Sequence, residues 1–209
     1  MTFLVGRRTL LSVLAVGCAG FMAAVPARAA QSAKAFIQTF GDQLVTIVNS
    51  PVSLAEKKQK VLPLVQQNVD IDGIGRYCLG RYWKVATPEQ KSRYLSLFHQ
   101  VLVNAITDKL GEYRGVSFTI GGVSKNGDDD AVDATLVRPQ QPPATMQWIV
   151  GYQSGSPKVV DVIGEGASLR LTQRNDYSAF VARNGGSVDT LLKALQKQLD
   201  HHTQAATNN

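Results

Sequence analysis

The sequence predicts an α+β fold. It reads as a single domain in which a curved antiparallel sheet of about four to five strands is wrapped by helices around an apolar pocket. Three observations predict it. Apolar residues recur at helical spacing as far as Leu110. The period then changes to alternation between Val116 and Tyr152. Last, the run Val159-Val-Asp-Val-Ile163 is apolar throughout except for Asp161, and Gly164 and Gly166 break it. A strand of that kind is covered on both faces, by protein or by something the protein carries.

The elements follow in order. From Ser32 to Asn49, Phe36, Ile37, Phe40, Leu44, Ile47 and Val48 mark one helix face, which Asn49-Ser50-Pro51 ends. Ser53-Leu-Ala-Glu56 is a capping box, opening a second helix towards Val69 with Pro63 inside it. Asp70-Ile-Asp72 starts a short helix that Gly80 interrupts before Tyr82-Trp83. Thr87-Pro-Glu-Gln90 is the clearest local signal: a cap, proline at the first helical position, and a Gln to close the box. The helix it begins carries a wide stripe from Tyr94 to Leu110, as for a helix lying across a sheet.

Val116, Phe118 and Ile120 mark one strand; Val132, Ala134 and Leu136 mark a second, with Lys125 to Asp130 as the hairpin turn. Pro139 to Pro143 turns into a third strand through Met146, Trp148, Val150 and Tyr152. Gln153 to Pro157 leads to the fourth. Ser168-Leu169 introduces a polar helix start, and Asn175–Asn184 and Ser187–His201 read as helices separated by Gly185-Gly186. Residues 202–209 form a polar tail expected to be disordered.

The N-terminal 29 residues read as a signal peptide. Arg7-Arg8 is a charged start, Leu10 to Val25 is apolar, and Ala27-Arg28-Ala29 has the small-x-small pattern of a cleavage site. The apolar run falls short of the roughly 20 residues of a membrane span, so export rather than anchoring is expected. Arg7-Arg8-Thr9-Leu10-Leu11 also resembles a twin-arginine signal. Of 22 basic residues the leader holds three, Arg7, Arg8 and Arg28, and none of the 16 acids. The remaining chain is therefore only weakly basic, at net +3, and a nucleic-acid partner is not expected. Cys78 is the one cysteine left after cleavage, so stability has to come from the core rather than a disulfide.

Catalytic and metal signatures are missing. There is no Gly-x-Ser-x-Gly elbow, phosphate loop or dinucleotide fingerprint. His99 lacks partners at metal-ligand spacing, and Asp128, Asp129 and Asp130 read as a solvated turn rather than a calcium loop. Cys78 reads as a packing residue. Asp161 has two readings, a pKa-shifted acid or a structural carboxylate that accepts hydrogen bonds from the glycine loop, and the second is the plainer. No enzyme, metal or cofactor is expected.

Two blocks, Leu79-Gly-Arg-Tyr-Trp-Lys-Val-Ala-Thr-Pro-Glu-Gln90 with its following helix and Asp161 through Glu165-Gly-Ala-Ser-Leu169, resemble the MlaC or toluene-tolerance family of periplasmic phospholipid-binding proteins. The chain also resembles the family's hopanoid-associated branch. Arg174 and Tyr177 stand where the family has an arginine and an aromatic, while Pro157 replaces a common tryptophan. The resemblance implies that residues 30–201 form a lipid-binding domain. It implies a monomeric, non-spanning periplasmic carrier whose cargo is a phospholipid, working between an inner-membrane ABC transporter complex and an outer-membrane lipoprotein complex.

Strand alternation assigns Phe118, Ile120, Val132, Ala134, Trp148, Val150, Val160 and Val162 to the pocket wall, facing Phe98, Leu102 and Ile106 of the long helix. Arg138, Lys158, Arg170 and Arg174, at strand ends and after the glycine turn, are the candidates for contact with a partner or a lipid head group. A binding module for another apolar ligand such as a hopanoid, a protein-interaction module without lipid, and a hydrolase using Asp161 are the competing readings.

Overall fold

A computed structural model describes the backbone of residues 25–207 and the side chains of residues 33–205. Arg7, Arg8 and most of the expected leader lie outside the described residues. The chain forms α1 (Val25–Asn49), α2 (Leu54–Asn68), α3 (Ile71–Leu79), α4 (Arg81–Val85) and α5 (Pro88–Asp108), then a 3-10 turn at Lys109–Tyr113. There follow β1 (Ser117–Asn126), β2 (Asp129–Val137), β3 (Ala144–Gly151), β4 (Lys158–Gly164) and β5 (Ala167–Ser168), then α6 (Leu169–Arg183) and α7 (Val188–Thr207). The five strands pair antiparallel in chain order, an open meander in a single α+β domain.

Local chemistry sets the boundaries. Ser53 and Thr87 both close full capping boxes, with Glu56 and Gln90 returning to the cap backbone. Asp70 caps α3 by accepting from the Gly73 N–H, and Ser168 caps α6 by accepting from Leu171. In the β4–β5 hairpin both central residues, Glu165 at φ +52° and Gly166 at φ +79°, are left-handed, the turn whose twist matches its strands. The end of α2 is stitched to the start of β4, where Asp70 N–H donates to the Val159 carbonyl at 2.9 Å.

Two bulges bend the sheet. Between Ile120 and Val123, β1 carries one residue more than β2 opposes. Between Val159 and Asp161, β4 does the same against Ile149 and Val150 of β3. α1 lies across β1 and β2, and α3 and α6 pack on β4. The core divides accordingly. Ala33, Ile37 and Phe40 of α1 bury against Val132, Val150 and Val159 of the sheet. A larger cluster joins α2, α3, α5, α6 and α7, with Tyr94, Leu79, Val181 and Leu192 at its centre.

α6 starts at Leu169, at the polar helix start marked by Ser168-Leu169, and runs unbroken into the helix read from Asn175, with Ser168 as its cap. One helix limit differs from the sequence reading. α7 stays helical through Thr207, past His201. His202 is held there by Asp108 at 2.9 Å and Asn104 at 3.3 Å.

Candidate functional site

Where the sheet, α1 and the helical cluster meet, side chains do not fill the space. A cavity of about 450 Å³ remains. Phe40 and Leu44 of α1, Val65 of α2 and the following Val69 line one side, and Ile74 and Cys78 of α3 another. Along α5, Phe98, Val101, Leu102, Ala105 and Ile106 fall at three- and four-residue spacing and present one continuous apolar face to it. Trp148, Val159 and Val162 face them from the sheet. At roughly 30 Å³ per heavy atom, the share water takes in the liquid, 450 Å³ accommodates about 15 atoms, the length of one fatty acyl chain.

The wall is closely packed at the α1 side. Trp148 stands edge-on to Phe40, with ring centroids 5.7 Å apart, and to Phe118, at 6.2 Å. Phe118 in turn lies directly on α1 at Gly41, where a Cβ would come within 2.2 Å of its ring. Only glycine lets the helix and this ring approach so closely.

The opposite side is polar and open. Leu169 and Thr172 in the first turn of α6 line the cavity while exposed, as does Ala105 of α5. Arg170 and Asp161 lie beside them. Asp161 is buried and its carboxylate is fully engaged. One oxygen accepts the backbone N–H groups of Val162 at 2.8 Å and Arg170 at 3.0 Å. The other accepts the Ser168 hydroxyl at 2.5 Å and faces Arg170 Nε at 3.5 Å. This is the structural carboxylate, although its donors are Val162, Ser168 and Arg170 rather than the glycines. Cys78 is buried in the wall; burial, with the Asp161 charge, pushes its thiol up to about 12, so it stays protonated. Burial likewise raises the Tyr177 phenol.

Of the residues expected to form the wall, the structure brings Phe98, Leu102, Ile106, Trp148 and Val162 to the cavity. Val132 and Val150 lie on the same face of the sheet but are packed solid under α1, with Phe118 and Ile120 beside them. Ala134, between Ile120 and Met146, is also buried without reaching the cavity. Val160 is placed elsewhere: it packs with Ala131 and Ile149 on the other side of the sheet. The β4 bulge is the reason, since one extra residue inverts the alternation and puts Val159 where Val160 was expected.

Among the cations, Arg170 lines the cavity, and Arg174 lies one helical turn beyond it. Both guanidinium groups sit over the Tyr77 ring, at 4.7 Å and 4.9 Å from its centroid. Arg138 instead stacks on Tyr113, and Lys158 donates to the Gln67 carbonyl at the end of α2. Neither lines the cavity. The α1, α2 and α3 contributions escaped the strand-based assignment, although Phe40 and Leu44 already belonged to the apolar stripe of α1.

No group of metal-ligating side chains occurs among the described residues. Asp130 of the aspartate turn is buried, paired with Lys125 at 2.6 Å and bonded by the Tyr152 hydroxyl at 2.9 Å, a structural arrangement. No helix among the described residues is long and apolar enough to cross a membrane.

Comparison with known proteins gives concordant similarities. The family model described as MlaC protein matches residues 38–197. The chain is 21% identical over 196 residues to the intermembrane phospholipid transport system binding protein MlaC of Haemophilus influenzae, covering 89% of this chain and 91% of that one. It is 25% identical over 142 residues to toluene tolerance protein ttg2D of Pseudomonas putida, 67% of this chain and 66% of the relative. Its fold is similar to that of a phospholipid-binding protein from Ralstonia solanacearum solved in complex with a phospholipid. The TM-score is 0.69 at 23% identity, over 79% of this chain and 96% of the other.

Proposed function

The chain belongs to the MlaC family, and from that membership we propose that it is a periplasmic carrier that holds a phospholipid with one acyl chain in the cavity and conveys it between membrane complexes. The observation that carries this reading is the cavity: a mostly apolar space of acyl-chain size, open at one edge. A diacyl lipid has about 30 methylenes, and at roughly 0.8 kcal/mol each their exposure to water forbids unassisted crossing. A protein that shields even one chain, half of those methylenes, lowers that barrier by on the order of 10 kcal/mol.

The same energetics dictate how cargo leaves. A lipid buried this well passes only to a site of comparable apolarity, so the carrier docks before it releases. On this reading the donor and acceptor are an inner-membrane ABC-type transporter complex and an outer-membrane lipoprotein complex. The exposed Leu169 and Leu171 beside the cavity edge belong to the docking surface. The chain has no nucleotide-binding fingerprint, so net uphill flow is driven by a partner.

The test is extraction of the purified protein with organic solvent and mass spectrometry of the extract. Phospholipid in near-equimolar amount is the expected result, and its transfer to acceptor complexes should follow in a reconstituted assay. A hopanoid in the extract would move the chain to another cargo, and an extract without lipid would remove the carrier reading.

A further inference from the structure

One wall of the acyl cavity is not apolar. Arg170, Gln173 and Tyr177 of α6 line it at three- and four-residue spacing, on the inward face of the helix. Burial deepens along that face. Leu169 and Thr172 at its start are exposed, Gln173 is half-buried, and Tyr177 is 9% exposed. From Arg170 to Tyr177 the helix rises roughly 10 Å, so the phenol stands at the deep end of this wall. α5 gives the same direction: Ala105 is exposed at the cavity edge, while Phe98 is buried and meets the Tyr177 ring at 6.4 Å between centroids.

The Tyr177 hydroxyl is unbonded there. No group among the described residues pairs with it, and its oxygen is not sealed within packed atoms. It opens on the cavity that Tyr177 lines. Its neighbour Tyr94 differs: that ring stands edge-on to Tyr177 at 6.3 Å, is fully buried, and donates its hydroxyl proton to the Gly75 carbonyl at 2.9 Å. The Tyr177 ring is thus fixed between Tyr94 and Phe98 while its polar end is left to something else. Burial keeps the phenol protonated, so it can both donate and accept.

Water serves such a hydroxyl while the cavity is open to solvent, but a saturated chain cannot. Filling the cavity with plain methylenes removes the hydrogen bond and leaves a buried polar group unpaired. A site with such a group favours the ligand that completes it over the isostere that does not.

We propose that the cavity prefers a lipid whose buried acyl chain carries a hydroxyl group near its middle, and that the Tyr177 hydroxyl is the contact that determines this specificity. The proposal rests on the reading of the cavity as an acyl-chain site and adds a class of chain to it. With bonds of about 1.5 Å in a zigzag, a depth of roughly 10 Å is about eight carbons. The ester carbonyl, held at the cavity edge, does not reach Tyr177.

The experiment uses the full chain after removal of the leader, stripped of lipid by solvent. It is incubated with phosphatidylcholine vesicles that hold stearoyl and 10-hydroxystearoyl species in equal amount, recovered by gel filtration and extracted for mass spectrometry. The head group is the same throughout, so only the chain can discriminate. The 10-hydroxystearoyl lipid should be enriched about fivefold, the scale of one net hydrogen bond. A 2-hydroxystearoyl lipid, equally polar but with its hydroxyl at the cavity edge, should be bound in the vesicle ratio. Tyr177→Phe, which keeps the ring, should bring the 10-hydroxystearoyl ratio to about one. Should that variant fold poorly by circular dichroism, the two positional isomers on wild-type protein still decide. Equal binding of stearoyl and 10-hydroxystearoyl lipid by the wild type overturns the chain specificity while leaving the acyl site standing; no bound lipid at all overturns both. Equal enrichment of the two isomers, or enrichment that survives Tyr177→Phe, also overturns it and assigns the preference to chain polarity alone.

Discussion

Asp161 accepts the backbone N–H of Arg170 at 3.0 Å with one carboxylate oxygen while its other oxygen takes the Ser168 hydroxyl at 2.5 Å. A single buried side chain thus ties the centre of β4 to the first turn of α6, the helix that forms the open edge of the cavity. Without it, two N–H donors and a hydroxyl lose their acceptor and Arg170 loses its counter-charge.

Replacement of Asp161 by Ala is therefore expected to lower stability by about 2–4 kcal/mol. Asp161→Asn, which keeps the shape and one acceptor oxygen, should cost less. Ser168→Ala removes the α6 cap and one of these bonds, for about 1 kcal/mol. Urea unfolding measures all three. Bound lipid should also exchange faster from the Asn variant than from the wild type; equal exchange rates would show that this tie does not control the cavity edge.

Cavity and solid core respond to different substitutions. Ala105 lines the cavity at its exposed edge, so Ala105→Trp should plug the space, reduce co-purified lipid at least about fivefold, and alter stability by less than about 1 kcal/mol. Val150 is fully buried under α1, and Val150→Arg places an unpaired charge in a packed site. That variant should fail to fold rather than fold without lipid. Circular dichroism and lipid content, measured on both variants, separate the two effects.

Acid sensitivity has a specific source. Burial alone would raise the Asp108 carboxyl, yet hydrogen bonds from Lys58 and His202, with their charges, hold it below the ordinary carboxylate value. A carboxyl lowered in the folded state adds stability that is fully present above its unfolded pKa and is lost as pH falls through the folded one. Asp108 is largely solvated, so after screening the contribution is at most about 1 kcal/mol. Asp108→Asn should lower the melting temperature by a few degrees at neutral pH and leave it unchanged near pH 3. An equal loss at both pH values would assign the effect to packing instead of the charge of Asp108.

The sequence by itself determined the helix starts at Ser53 and Thr87, the alternation of β1 to β3, the hairpin at Gly127 and the α+β class. Each rests on contacts between residues a few positions apart, and such contacts are written in local spacing. It also carried the family, through the blocks at Leu79–Gln90 and Asp161–Leu169. Tertiary structure decided what lies opposite each face. Alternation assigns Val132, Val150, Trp148 and Val162 to one side of the sheet. Only the path of α1 across β1 and β2 divides them into solid core at the first two and cavity wall at the last two. The bulge that exchanges Val159 for Val160 depends on pairing with β3, a partner no local period records. What the first turn of α6 faces is likewise tertiary: the polar start at Ser168-Leu169 is local, but that Leu169, Thr172 and Gln173 line a cavity edge and not a core is decided by the elements packed around it.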